Sequence, residues 1–154
     1  MDPKRKQERY NRLFDQIAGL LSATSDPDAR MATIIAVLHH KMEYFFWTGF
    51  YFLRNGELTV KCYQGPVACQ VLKKNQGVCW AGINQAKPII VPDVHLFPGH
   101  IACDSRSNSE IVVPVTGPEG AINGVLDVDS EQKSAFDEVD AVNLERIVKL
   151  IFSA

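Results

Sequence analysis

Phe45–Tyr63 reads FFWTGFYFLRNGELTVKCY. Its first half, Phe45–Leu53, is poor in β-branched residues but strongly aromatic, and short enough to be a buried strand. Arg54-Asn55-Gly56-Glu57 then supplies the Asn-Gly signal of a tight hairpin, because both central residues of that turn need positive φ. Leu58–Tyr63 alternates, with Leu58, Val60 and Cys62 on one face. Two strands joined by so short a turn must run antiparallel.

Working outward from this hairpin, the flanks are helical on the N-terminal side. Tyr10, Leu13, Phe14, Ile17, Leu20 and Leu21 recur at helical spacing. Asp26-Pro27 reads as an N-cap followed by proline at the first helical position, opening a helix with Met31, Ile34, Ile35, Leu38 and Met42 on one stripe. On the C-terminal side a loop rich in Gly, Pro and Cys precedes a short strand, Ile89–Val91. A second loop follows, then a strand over Glu110–Val115, a turn at Gly117–Gly120 and a partner strand over Ala121–Val128. Phe136–Phe152 closes the chain as a helix. Hairpins flanked by terminal helices predict an α+β fold, an antiparallel sheet with N- and C-terminal helices packed on one face.

The 154 residues suit one domain, residues 1–154 with a core over about 10–152. Apolar residues at 46% and charged residues at 22% are an ordinary globular mix. A formal charge of −2 gives no reason to expect nucleic acid. No apolar run suggests a membrane span, and the polar start MDPKRKQERYNR does not read as a secretory signal, so a cytoplasmic location is expected.

In such a compartment thiols stay reduced, and loop cysteines invite a chemical explanation. Cys62 reads as a buried inert thiol beside Leu58 and Val60. Cys69, Cys79 and Cys103 all fall in loops, at GPVAC, GVC and HIAC. Their separations of ten and twenty-four residues do not match the closely spaced pairs of a zinc site. A metal set from His95, His100 and Cys103 is the weaker alternative, and no metal is expected. Thiol redox chemistry fits better, with one thiolate attacking and a second resolving the sulfenic acid as a disulfide. His100, three residues before Cys103, could lower that thiol's pKa. His39 and His40 read as a helix end.

The loop at Pro98–Val115, PGHIACDSRSNSEIVVPV, runs into a strand that opens with Glu110. Asp127 and Asp129 point to one face of the next strand while Leu126 and Val128 face the core. Glu110, Asp127 and Asp129 could converge to bind an ammonium group or to hold a proton with a raised pKa. Trp47, Gly49 and Tyr51 share one face of the aromatic strand. Burial on both sides would explain them, and so would an aromatic wall facing the carboxylates, suited to a small ligand with an apolar part and a positive end.

Together GPVAC, GVC, VPDVHLFPGHIACDSRSNSEIVVPV and INGVLDVDSE closely resemble the free methionine-(R)-sulfoxide reductases, single-domain enzymes of the GAF fold. WTGFYFL matches that family's aromatic strand and FDEVD its last helix. The resemblance implies a single GAF-like domain that reduces the R-sulfoxide of free methionine with electrons from thioredoxin, without metal or organic cofactor. By motif, it makes Cys103 the attacking cysteine, Cys69 the principal resolving one, and Cys79 a third redox or substrate-contacting thiol. Trp47 and Tyr51 become the wall for the methyl-sulfoxide end, and Glu110, Asp127 and Asp129 the acidic cluster that recognises the free amino acid and serves the sulfoxide oxygen. Family members commonly form dimers, for which the N-terminal helix could serve. The chain departs from the pattern at Trp80, where the family usually has Gly after GVC. The rival expectations are a non-catalytic GAF sensor of a small molecule, a thiol-based redox sensor, and a structural zinc module.

Overall fold

In a computed structural model, residues 1–100 and 103–154 are described. Helix α1, Pro3–Leu21, opens on Asp2, whose side chain accepts a hydrogen bond from the Arg5 backbone N–H at 3.0 Å. This is the same Asp-Pro start that opens α2, Pro27–Lys41. Strands β1, Trp47–Arg54, and β2, Glu57–Gln64, form the predicted hairpin, with Asn55 at φ 53° and Gly56 at φ 80°. A short β3, Val71–Leu72, precedes helix α3, Gly77–Gln85, and strand β4, Ile89–Val91. A 3-10 turn at Val94–Leu96 leads on to β5, Ser109–Thr116, then β6, Ile122–Ser130, and α4, Glu138–Val148. The strands make one antiparallel sheet in the order β3-β2-β1-β6-β5-β4.

Alternation divides the sheet into two chemically distinct faces. Phe50, Ile111, Val113, Val115, Leu126 and Val128 pack against the apolar stripes of α1, α2 and α4. Trp47, Tyr51, Val112 and Val125 face the other way, toward Val78, Cys79 and Trp80 of α3. The expected α+β class with terminal helices on one face is what the chain forms.

Two local expectations need correction. Cys79 does not lie in a loop, because GVCWAGINQ is the helix α3. Its amphipathic signal is weak, and its start carries no side-chain cap at Gln76, so neither helix cue stands out. Gly82 is what lets it dock: a Cβ there would lie 2.7 Å from the Val112 side chain on β5. Cys62 does not share a face with Leu58 and Val60. Phe50 pairs with Cys62 but Tyr51 pairs with Val60, which leaves Lys61 as an extra residue in β2. That bulge reverses the alternation and turns half-buried Cys62 toward the helix face.

The last helix is shorter than the predicted Phe136–Phe152. Asp137 caps it with a hydrogen bond from the Val139 N–H at 3.0 Å, and a reciprocal bond from its own N–H to Asp140 completes a capping box. Beneath that cap lies a buried polar knot. Asp140 accepts hydrogen bonds from Lys6 at 2.6 Å, Tyr10 at 2.7 Å and Tyr44 at 2.5 Å, tying α1 and the segment before β1 to α4. No helix among the described residues is long and apolar enough to cross a membrane.

Candidate active site

Register alone assembles the floor of a pocket. Trp47 pairs with Asp129 and Asp129 with Glu110, so one row runs across three strands. The next row on the same face is Gly49, Asp127 and Val112. The pocket that forms over these rows is lined by Trp47, Tyr51, Cys79, Cys103, Glu110, Asp127 and Asp129. Cys69 joins them as the disulfide partner of Cys103, with the two Cα atoms 5.7 Å apart. All eight residues singled out in the sequence therefore meet at one place.

The aromatic side is a stacked ladder. The Trp47 ring lies 5.8 Å from Tyr51 at 24° and 5.2 Å from Tyr63 at 21°. It also organises the cysteine loop: Tyr51 donates its hydroxyl to the Cys69 carbonyl at 2.8 Å, and Trp47 donates Nε1–H to the Pro66 carbonyl at 3.0 Å. Gly49 makes the ladder possible, since a Cβ there would collide with the Trp47 ring and sit 2.5 Å from Tyr63 Cβ. Gly49→Ala should displace Trp47 and destabilise the fold by about 1–3 kcal/mol. Urea unfolding followed by tryptophan fluorescence would read both effects, and an unchanged spectrum and midpoint would refute the close approach.

The acidic side is under electrostatic stress. Burial pushes the Glu110 carboxyl well up, and the charges of Asp127 and Asp129 push it further. Burial also raises Asp127 and Asp129. Asp127 Oδ1 is buried from solvent, with only the Glu110 and Cys79 side chains beside it as partners. Cys79 enters from the first turn of α3, and burial followed by the neighbouring carboxylates holds it as a neutral thiol. Such a floor stores protons and favours a cation.

Cys103 is exposed and Cys69 half-buried, so the disulfide stands at the pocket mouth. His100 lines the same pocket as Cys103, and its Nδ1 lies 4.0 Å from Glu110 Oε1. Burial pushes this imidazole down, with a smaller push from His95. The metal set of His95, His100 and Cys103 does not assemble, since His95 Nε2 pairs with Asn108 at 3.0 Å and Cys103 is in the disulfide. Among the described residues the clustered potential ligands are instead Cys79, Glu110 and Asp127. Trp80 is buried, with its Nε1–H directed at the Leu72 carbonyl at 3.4 Å, so it packs α3 against β3.

Phe46, Gln76 and Ser107 also line the pocket and were not predicted. Ser107 lies four residues past Cys103 in the same loop, a proximity that could have flagged it. Phe46 carries the Arg106 guanidinium on its ring at 4.9 Å, while Arg106 pairs with Asp104 at 2.7 Å. Neither partner is legible from spacing.

Comparison with known proteins places this architecture. Residues 24–154 match the GAF domain family, and the chain is a GAF-domain protein. It is 46% identical to GAF domain-containing protein A of Dictyostelium discoideum, over 95% of this chain and 92% of that one. It is 35% identical to the free methionine-R-sulfoxide reductase of Escherichia coli, over 93% and 86% respectively. Among solved structures, the free methionine-R-sulfoxide reductase of Neisseria meningitidis in complex with its substrate superimposes with a TM-score of 0.91. That match has 37% identity and covers 99% of this chain and 89% of that one. Within the GAF-domain proteins, the chain belongs to the free methionine-R-sulfoxide reductase family.

Proposed function

We propose that the protein reduces free L-methionine-(R)-sulfoxide to L-methionine by thiol chemistry at this pocket. One observation carries the reading: a Cys69–Cys103 disulfide at the mouth of a pocket with an aromatic wall and a floor of buried carboxylates. The methyl-sulfoxide end lies against Trp47 and Tyr51, and the α-ammonium meets the acidic floor. A peptide-bound residue has no charged nitrogen there, which selects the free amino acid.

The Cys103 thiolate attacks the sulfoxide sulfur while Glu110 or Asp129, held protonated by burial, donates to the oxygen. The oxygen passes to Cys103 as sulfenic acid, and methionine leaves. The Cys69 thiol condenses with the sulfenic acid, forming the disulfide and releasing water. Thioredoxin then reduces the disulfide through a mixed intermediate, supplying the two electrons. Sulfur carries both electrons, so the cycle calls for no metal or organic cofactor.

The test is thioredoxin-coupled NADPH consumption with the free R-sulfoxide, its S epimer, and an R-sulfoxide in a blocked peptide. Activity on the first alone is expected; equal activity on the peptide would overturn the role given to the ammonium.

Asp127→Asn should raise KM roughly ten- to a hundredfold with a smaller change in kcat, the loss of one charge-assisted hydrogen bond. The same variant should be more stable at neutral pH. The three carboxyls have raised folded-state pKa values, so their contribution is fully present below the ordinary carboxylate range and is lost as pH rises through the raised values. Removing one acid relieves that loss. A urea midpoint at pH 7 below that of the parent protein would contradict this.

A further inference from the structure

We propose that Cys79, Glu110 and Asp127 form a binding site for a thiophilic divalent cation of the zinc type on the pocket floor. The donors come from three elements, α3, β5 and β6, and their ligand atoms all lie within 4.8 Å of one another. A tetrahedral zinc ion holds sulfur at about 2.3 Å and oxygen at about 2.0–2.2 Å, which places donors roughly 3.3–3.8 Å apart. Side-chain rotation of about an ångström closes the set without moving the sheet.

The sequence concealed this arrangement. Cys79, Glu110 and Asp127 lie far apart in the chain and match no spaced motif. The β5–β6 register puts Glu110 and Asp127 on the same face, and the Gly82 contact brings the first turn of α3 down onto them.

Three features favour an ion over an inert acidic cluster. The three side chains are nearly wholly enclosed, at 4%, 5% and 6% exposure. Asp127 Oδ1 is buried from solvent, with no partner beyond the Glu110 and Cys79 side chains that would share the ion. The donor set includes a sulfur, which selects zinc-like ions over calcium or magnesium, since those demand six or more oxygen ligands. His100, 4.0 Å from Glu110, or a water can complete the fourth position. Binding takes Cys79 as thiolate and Glu110 as carboxylate, and the protons they held leave to solvent.

Neither Cys69 nor Cys103 is a ligand, so the ion enters the disulfide form of the protein. A further consequence rests on the function proposed above: the cation and the substrate ammonium occupy the same floor and exclude one another.

The test uses the full chain carrying Cys62→Ser, with the Cys69–Cys103 disulfide intact, so that Cys79 is the remaining thiol. Cobalt(II) should bind once per chain and give a near-ultraviolet thiolate-to-metal charge-transfer band, which zinc then abolishes. Cys79→Ser should eliminate the band, and Asp127→Asn should weaken binding at least about tenfold. Thermal unfolding of each variant verifies that it is folded. Absence of the band in the disulfide form, or its survival in Cys79→Ser, would overturn the site. Free methionine should displace the cobalt and N-acetylmethionine should not. A band indifferent to both would leave the metal site standing and refute the ammonium reading of the floor.

Discussion

Cys103→Ser should reduce turnover of free methionine-(R)-sulfoxide by roughly three orders of magnitude or more, the usual cost of deleting a nucleophile. Cys69→Ser should behave differently. It should release one methionine per protein molecule in a rapid first turnover and then stall, because the sulfenic acid has no partner. A carbon nucleophile specific for sulfenic acids should label the stalled protein at Cys103, and mass spectrometry would locate the adduct. The asymmetry is that of the roles proposed for the two thiols, one attacking and one resolving. Cys103 and Cys69 are already bonded, whereas Cys79 is a buried neutral thiol in a helix and needs substantial desolvation energy to ionise. Cys79→Ser should therefore alter KM more than the number of thiols oxidised per turnover. If Cys69→Ser were the dead variant and Cys103→Ser gave the burst, the two roles would be exchanged.

How much of this was legible depended on whether the signal was local. Asn55-Gly56 states its own turn, and the β1–β2 hairpin follows from it. The Asp127/Asp129 alternation, anchored by Leu126 and Val128, places both acids on one face without knowledge of any partner. Pairing with Glu110 needs only the next hairpin. Non-local features were hidden. The bulge at Lys61 inverts the face of Cys62, and nothing in LTVKCY announces an extra residue. Helix α3 reads as loop because its contacts with β5 and β6, not a cap or a stripe, hold it together. Consequently the one cysteine placed among catalytic candidates with the wrong surroundings was Cys79, and its proximity to Asp127 became visible only in the fold. Asp2-Pro3 repeats Asp26-Pro27 and starts the first helix ahead of Lys6.

That start matters because Lys6 is where stability and chain topology meet. Asp140→Ala should destabilise the protein by about 3–5 kcal/mol, the cost of breaking a buried ion pair by removing one partner. Against a typical total of about 5–15 kcal/mol, this is enough to leave a large unfolded fraction at moderate temperature. Asp140 is fully buried and serves Lys6, Tyr10 and Tyr44 together. Burial and the Asp140 charge push both phenols up, so they remain neutral donors. Lys6 would keep the Ala135 carbonyl at 2.9 Å and half-exposed Asp137 at 3.3 Å, a poor exchange for a buried carboxylate at 2.6 Å. The cost is thus that of a buried ammonium left with weaker partners and of two phenols that lose their carboxylate acceptor. Lys6→Met combined with Asp140→Asn removes both charges while keeping an acceptor for the tyrosines, and should recover most of the loss. Urea unfolding of the two single variants and the double variant would decide it. Additive losses in the double variant would mean that Lys6 and Asp140 act independently, and that packing rather than charge holds α1 on α4.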